Sequence, residues 1–228
     1  MFFPFDPTMI LIIPVLILTF WAQMKVKSNY KKYLGIRSSL NISGAEVAQR
    51  ILQQNGIHDV VIMEEPGELT DHYNPATKEV HLSEHIYHGT SIASLSIAAH
   101  EVGHAIQHAK GYYPVILRGK LLPAANIGSN FGFPLFLIGL LFSFPFLMDI
   151  GIIFFAGALI FHLVTLPVEF NASYRAIGEL ERGGFINVGL EKSGCKSMLS
   201  AAAMTYVASA LMALVQLIRL LILRNSRD

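Results

Sequence analysis

The 228-residue chain is 53% hydrophobic and only 14% charged, with a formal net charge of +1; its mean hydropathy is +0.48. Soluble globular domains carry about 25% charged residues, so this is a membrane-class composition, and a net charge near zero excludes a strongly basic nucleic-acid binder. One cysteine, Cys195, excludes an internal disulfide and a cysteine zinc cage.

The apolar run from Met9 to Met24 is followed, not preceded, by Lys25, Lys27, Lys31 and Lys32. A secretory leader has the reverse order and ends in small residues. Residues 1–24 therefore read as a retained transmembrane anchor, flanked by Pro4, Pro7 and Trp21, with its C-terminal side in the cytoplasm. Residues 25–125 read as a small α+β domain on that side. Ser43-Gly44-Ala45-Glu46 is a capping box opening a helix that Val47, Ala48, Ile51 and Leu52 pack and Gly56 ends. Val60 to Met63 reads as a buried strand, and Pro66, Gly67 and Asn74-Pro75 punctuate turns. Glu79 to Ser83 alternates polar and apolar residues, which predicts a half-buried strand. As a sheet edge it would pair with an extended substrate; the plainer reading is an ordinary edge strand.

Thr90 or Ser91 then caps a helix running from about Ser91 to about Lys110, ended by Gly111. Inside it lies His100-Glu101-Val102-Gly103-His104. Residues four apart share a helical face, about 6 Å along the axis, so His100 and His104 close on one metal ion. Glu101, a turn-mate, holds a water there as general base. A chance match on a water-facing helix is the competing explanation. Ala98, Ala99, Ala105 and Ile106 argue against it, because they mark a buried face on which two histidines and an acid need partners. His108 lies roughly 12 Å along the axis from His100, too far to share the ion from a straight helix. It reads as an outer or surface histidine.

Phe131 to Met148 and Ile150 to Pro167 are two further apolar runs, separated by little more than Asp149, and together read as a transmembrane hairpin over residues 126–167. His162 lies within it, and a neutral histidine bonding a neighbouring helix is its plain reading. Residues 168–197 read as a polar segment and loop, broken by Gly183-Gly184, Gly189 and Gly194 and containing Cys195. Its Arg182, Lys192 and Lys196 again point to the cytoplasm. Residues 198–228 read as a last transmembrane helix and tail. Its Arg219, Arg224 and Arg227 sit at the end that four crossings would place outside, against the charge rule.

A catalytic zinc usually has three protein ligands and a water. The hairpin returns the chain to the face that holds His104, and Glu169 is the first acid to emerge there. Glu179, Glu181, Asp71, His72, His81, His85 and His88 are the alternatives. Glu169 is favoured because a carboxylate between Pro167 and Phe170 is costly if unpaired; pairing with Arg175 or a helix N-terminus is the competing role.

The stretch Ala98 to His108, with Leu82-Ser83-Glu84 upstream and Leu166-Pro167-Val168-Glu169-Phe170 downstream, resembles the YugP-like family of bacterial membrane neutral zinc metallopeptidases, over nearly the whole chain. More distantly it is similar to the HtpX-type and CAAX prenyl protease membrane gluzincins. The resemblance implies Glu169 as third ligand of a single Zn2+, and a multi-pass protein of the bacterial inner membrane. In those distant relatives an aspartate four residues on orients a zinc histidine; here Ser173 stands there, with Asn171 nearby. The expected fold is a mainly α membrane protein of about four transmembrane helices plus a small α+β zincin-like domain carrying the H-E-x-x-H helix. The expected function is a zinc-dependent endopeptidase acting on a peptide or membrane-protein substrate at the surface of the lipid bilayer. An oligomeric or regulatory partner stays open. Tyr174, Arg175, His81 and His108 are the candidate oxyanion donors. Two other classes compete: a membrane scaffold with a four-ligand structural zinc, in which Glu101 has no purpose, and a transporter using His162 and the spans.

Overall fold

The computed structural model describes residues 7–226; Pro4 and Arg227, named above, lie outside them. The chain divides into two compact units, one of Gln23–Val115 with Val168–Met204 and one of Met1–Ala22, Ile116–Pro167 and Thr205–Asp228.

In the first unit, the end of α1 (Ile13–Leu34) leads into α2 (Gly44–Gln54). The capping box is formed reciprocally: Glu46 N donates to Ser43 Oγ at 3.2 Å and Ser43 N to Glu46 Oε2 at 2.9 Å. Two of the helix's orphan donors are thereby satisfied. Three strands follow, β1 (Val61–Glu65), β2 (His72–Asn74) and β3 (Glu79–Ser83), then a single turn, α3 (Glu84–Tyr87), and α4 (Ile92–Ala109). The sheet order is β1-β3-β2, with β1 parallel and β2 antiparallel to β3. This corrects the edge reading of Glu79–Ser83: that strand is central, with Val80 and Leu82 fully buried, and β1 and β2 are the edges. Three residues of β2 are too few to show period-two alternation, so the extra edge escaped the sequence.

Ser91 caps α4 by accepting from Ser94 N at 3.1 Å, and Gly111 leaves the helix with φ +61°. Val47, Ile51 and Leu52 of α2, Leu82 of β3 and Leu95, Val102 and Ile106 of α4 share one core. Burying each such side chain stabilises by about 1.5–3 kcal/mol. Leu180 of α6 (Pro145–Arg182) and Leu199 of α7 (Leu190–Asn225) belong to the same core. Cys195 is fully buried within α7, not in a loop. That helix begins inside the expected loop, and Glu191 in its first turn accepts from Asn187 N just before the helix and from Ser39 N between α1 and α2, each at 2.6 Å.

In the second unit, α5 (Tyr113–Leu141) and α6 run antiparallel: Gly128 meets Phe154, Gly132 meets Gly151 and Phe155, and Gly139 meets Met148. A Cβ on Gly128 would lie 2.2 Å from the Phe154 carbonyl oxygen, so glycine permits this approach, as small residues do between membrane helices. The turn falls at Ser143 (φ +54°), not at Asp149, because Pro145 opens α6 at the position where a missing N–H does no harm. α6 then continues through Pro167 to Arg182. Asp149 instead accepts from Arg224 Nε at 2.8 Å, and Arg219 donates to Thr8 at 3.1 Å. Arg219 and Arg224 are thus partnered within their own unit. Pro7–Leu34, α5, α6 and α7 are each long and apolar enough to cross a membrane: the protein is a mainly α membrane protein with a small mixed sheet.

Candidate metal centre

Two helices of the first unit build the centre. α4 presents His100 and His104 on one face, as the four-residue spacing dictates. The segment of α6 just after Pro167 presents Glu169. Gly103 makes the meeting possible: a Cβ there would lie 2.8 Å from the Ala172 carbonyl oxygen, so only hydrogen lets α4 approach the α6 backbone this closely.

Glu169 Oε2 lies 3.4 Å from His100 Nε2 and 3.5 Å from His104 Nε2. Among the described residues, these three form the group of metal-binding side chains whose donor atoms all lie within 4.8 Å of one another. Ligands about 2.0–2.1 Å from a tetrahedral zinc stand roughly 3.3–3.4 Å apart, so the two nitrogen–oxygen separations fit edges of such a site. The imidazoles are nearly perpendicular, at 83°. Their outer nitrogens are engaged: His104 Nδ1 is 3.0 Å from Gln107 Oε1, and His100 Nδ1 is 3.3 Å from Ser173 Oγ. The donor set of two imidazoles and one carboxylate is also what a catalytic zinc takes.

Burial sharpens the electrostatics. The side chain of Glu169 is 3% exposed and those of His100 and His104 are 12% and 13%. Burial disfavours the charged imidazolium of His104, but Glu169, Glu101 and the Gln107 oxygen outweigh it and hold its pKa above the ordinary value. The pocket thus favours positive charge, as a cation site must. Glu101 is buried at 8% exposure, and its charge acts on both His104 and Asp71. Asp71 is pushed up by burial first, against the hydrogen bonds it accepts from Ser83 N (2.7 Å) and Ser83 Oγ (3.1 Å), and further by Glu101.

A family model described as "Putative neutral zinc metallopeptidase" matches residues 8–225. The chain belongs to this family. It is also 48% identical over 219 residues to "Putative membrane protease YugP" of Bacillus subtilis (strain 168), covering 96% of this chain and 97% of that protein. No solved structure matches the chain significantly. The membership agrees with the resemblance carried by Ala98–His108 and Leu166–Phe170.

The other residues singled out in the sequence lie as follows. Asn171 Oδ1 accepts from Gln107 Nε2 at 3.0 Å and from Arg175 Nε at 2.7 Å. Arg175 also lies over the Tyr112 ring. Tyr174 is 79% exposed and borders a groove between α6 and α7 of about 260 Å³, with Phe170, Ser173 and Lys196. His81 places Nδ1 3.0 Å from Glu65 and Nε2 3.2 Å from Glu79, and stacks on His72. His108 Nδ1 meets the Tyr73 hydroxyl at 2.9 Å. His81 and His108 thus hold partners outside the metal group, and Glu179 pairs with Arg182 and Glu181 with Lys192. Gln107 is the residue the sequence reading passed over. Its signal was present: a carboxamide three residues after a ligand histidine shares that histidine's face.

Proposed function

We propose that this family member is a membrane-embedded zinc-dependent endopeptidase, with one Zn2+ per chain held by His100, His104 and Glu169 and with Glu101 as general base. The observation that carries this reading is the convergence of the three donors from α4 and α6, with an acid next in sequence to one of them. Three protein donors leave a coordination position open, which favours a catalytic over a structural centre, since structural zinc is closed by four protein ligands. Bound there, zinc supplies Lewis acidity, polarising a carbonyl and bringing the pKa of a water toward about 7.

The chain's own groups do the rest. Glu101 accepts the proton of the attacking water at its carboxylate as the oxygen adds to the scissile carbonyl carbon. The same carboxyl then returns the proton to the leaving amine nitrogen. Low exposure keeps bulk water from competing for either transfer. Lys25, Lys27, Lys31 and Lys32 after the first apolar run, with Lys192 and Lys196 near the start of α7, support an active site at the cytoplasmic face of a multi-pass protein in a bacterial inner membrane. The substrate class is a peptide or a segment of a membrane protein reached at that face.

The test is cleavage of extended peptides and membrane-protein segments by purified protein, with products read by mass spectrometry. Wild type is expected to cleave, to stop when a chelator strips the metal, and to recover when zinc is returned. Chelator-insensitive cleavage, or Glu101→Gln cleaving at the wild-type rate, contradicts the reading.

A further inference from the structure

A carboxamide can turn either its oxygen or its amino group toward a neighbour, and a neutral imidazole nitrogen either donates or accepts. Neighbours with a single possible role settle both choices around His104. Arg175 can only donate, and its Nε lies 2.7 Å from Asn171 Oδ1; that oxygen therefore faces Arg175 and acts as an acceptor. The Val168 carbonyl can only accept. Gln107 Nε2 lies 2.8 Å from Val168 O and 3.0 Å from Asn171 Oδ1, so both of its N–H bonds are committed. The Gln107 oxygen then faces His104 Nδ1 at 3.0 Å. An amide oxygen does not donate, so Nδ1 carries the hydrogen, and the lone pair of the neutral ring falls on Nε2, the nitrogen that faces Glu169.

We propose that Gln107 is a positioning residue of the metal centre, holding His104 in the tautomer that offers Nε2 to zinc. Its orientation is dictated from the far side by Val168 and by Arg175 through Asn171. Because Gln107 is fully buried, water does not replace its oxygen, and the other tautomer would set two acceptors face to face. His100 is held differently. A hydroxyl both donates and accepts, so Ser173 Oγ at 3.3 Å permits either tautomer. The same residues join the two ligand-bearing helices, α4 through Gln107 and α6 through Val168 and Asn171. This proposal rests on the zinc reading above.

The test measures zinc affinity of metal-free protein in detergent by chelator competition, with thermal unfolding of the same samples to verify folding. Gln107→Met removes the acceptor, and zinc should bind about 10–100-fold more weakly. Gln107→Glu keeps an acceptor for Nδ1–H but loses both donors, so its zinc affinity should stay within a few-fold of wild type or rise, while its metal-free form unfolds at lower temperature. Equal weakening of zinc binding in both variants would make Gln107 a structural tie and overturn the proposal. Wild-type affinity in Gln107→Met would overturn it too. Nitrogen-15 histidine NMR of the zinc-loaded wild type needs no variant: it should show His104 bound through Nε2 with a protected Nδ1–H, and metal on Nδ1 overturns the proposal. Wild-type protein that binds no zinc overturns the metal centre itself and this proposal with it.

Discussion

The two units handle burial in different ways. In the unit of Gln23–Val115 and Val168–Met204, several polar side chains go inside with partners: Gln107 with three, Ser83 with Asp71, Glu191 with Ser39 and Asn187. In the unit of Ile116–Pro167 and its flanking helices, large apolar side chains stay outside, among them Ile10 at 68%, Ile153 at 67% and Phe142 at 77% exposure. Water would penalise that surface, whereas lipid tails cover it without penalty. Buried polar groups in the first unit need partners, and at His100, His104 and Glu169 the donors converge as a cation site would require, while the second unit is explained by its solvent.

The largest expected effects fall in the polar unit. Glu101→Gln should lose about 10²–10⁴-fold in cleavage rate yet bind zinc as wild type does; loss of both would make Glu101 a ligand or a structural residue. Glu169→Gln keeps the shape but removes the anion, and zinc affinity should fall by more than the roughly 100-fold that bounds changes outside the ligand shell. Equilibrium zinc binding decides it, and an unchanged affinity would return the third-ligand role to another acid.

Gly103→Ala changes no ligand. Its methyl meets the Ala172 carbonyl oxygen, so α4 must shift from α6 at a cost of about 1–3 kcal/mol, measurable in thermal unfolding, with zinc weakened alongside. Unchanged unfolding and zinc binding would mean that the close approach is not needed.

Proton linkage sharpens the contrast further. His104 is held above its ordinary value of 6.5 in the metal-free protein. Its contribution to stability is therefore complete below that value and is lost as pH rises through the raised one. Zinc needs the neutral ring, so the sign reverses on loading. The zinc-induced rise in Tm should be larger at pH 8 than at pH 6, and equal rises would contradict the assignment. The smallest effect belongs to the apolar unit: Asp149 is half exposed beside Arg224, and Asp149→Asn should change stability by at most about 1 kcal/mol.

What was legible in the sequence was local. Ser43 and Glu46 announce their cap because both partners lie within one turn, and His100 and His104 announce their shared face because helical spacing fixes it. Four apolar runs announce four long helices, but not their ends: Pro145 and Ser143 moved the turn away from Asp149, and Pro167 proved to lie inside a helix. Glu169 was one of eight candidates, since the register between α4 and α6 depends on Gly103 and Ala172 meeting across 69 positions of chain. Spacing puts Gln107 on the face of His104, but its role and that of Asn171 depend on hydrogen bonds with directions, which no spacing encodes. The strand Glu79–Ser83 was legible as a strand, and its place in the sheet was not, because β2 is too short to show a pattern.

The account stands on zinc being held by α4 and α6 together with one position left open. X-ray absorption at the zinc edge, on wild type beside Glu169→Gln, tests this most directly. It should show a four-coordinate ion with two imidazole nitrogens, a carboxylate oxygen, a water oxygen and no sulfur, and a shell that changes in the variant. Four protein ligands in wild type, or an identical shell in Glu169→Gln, would contradict it.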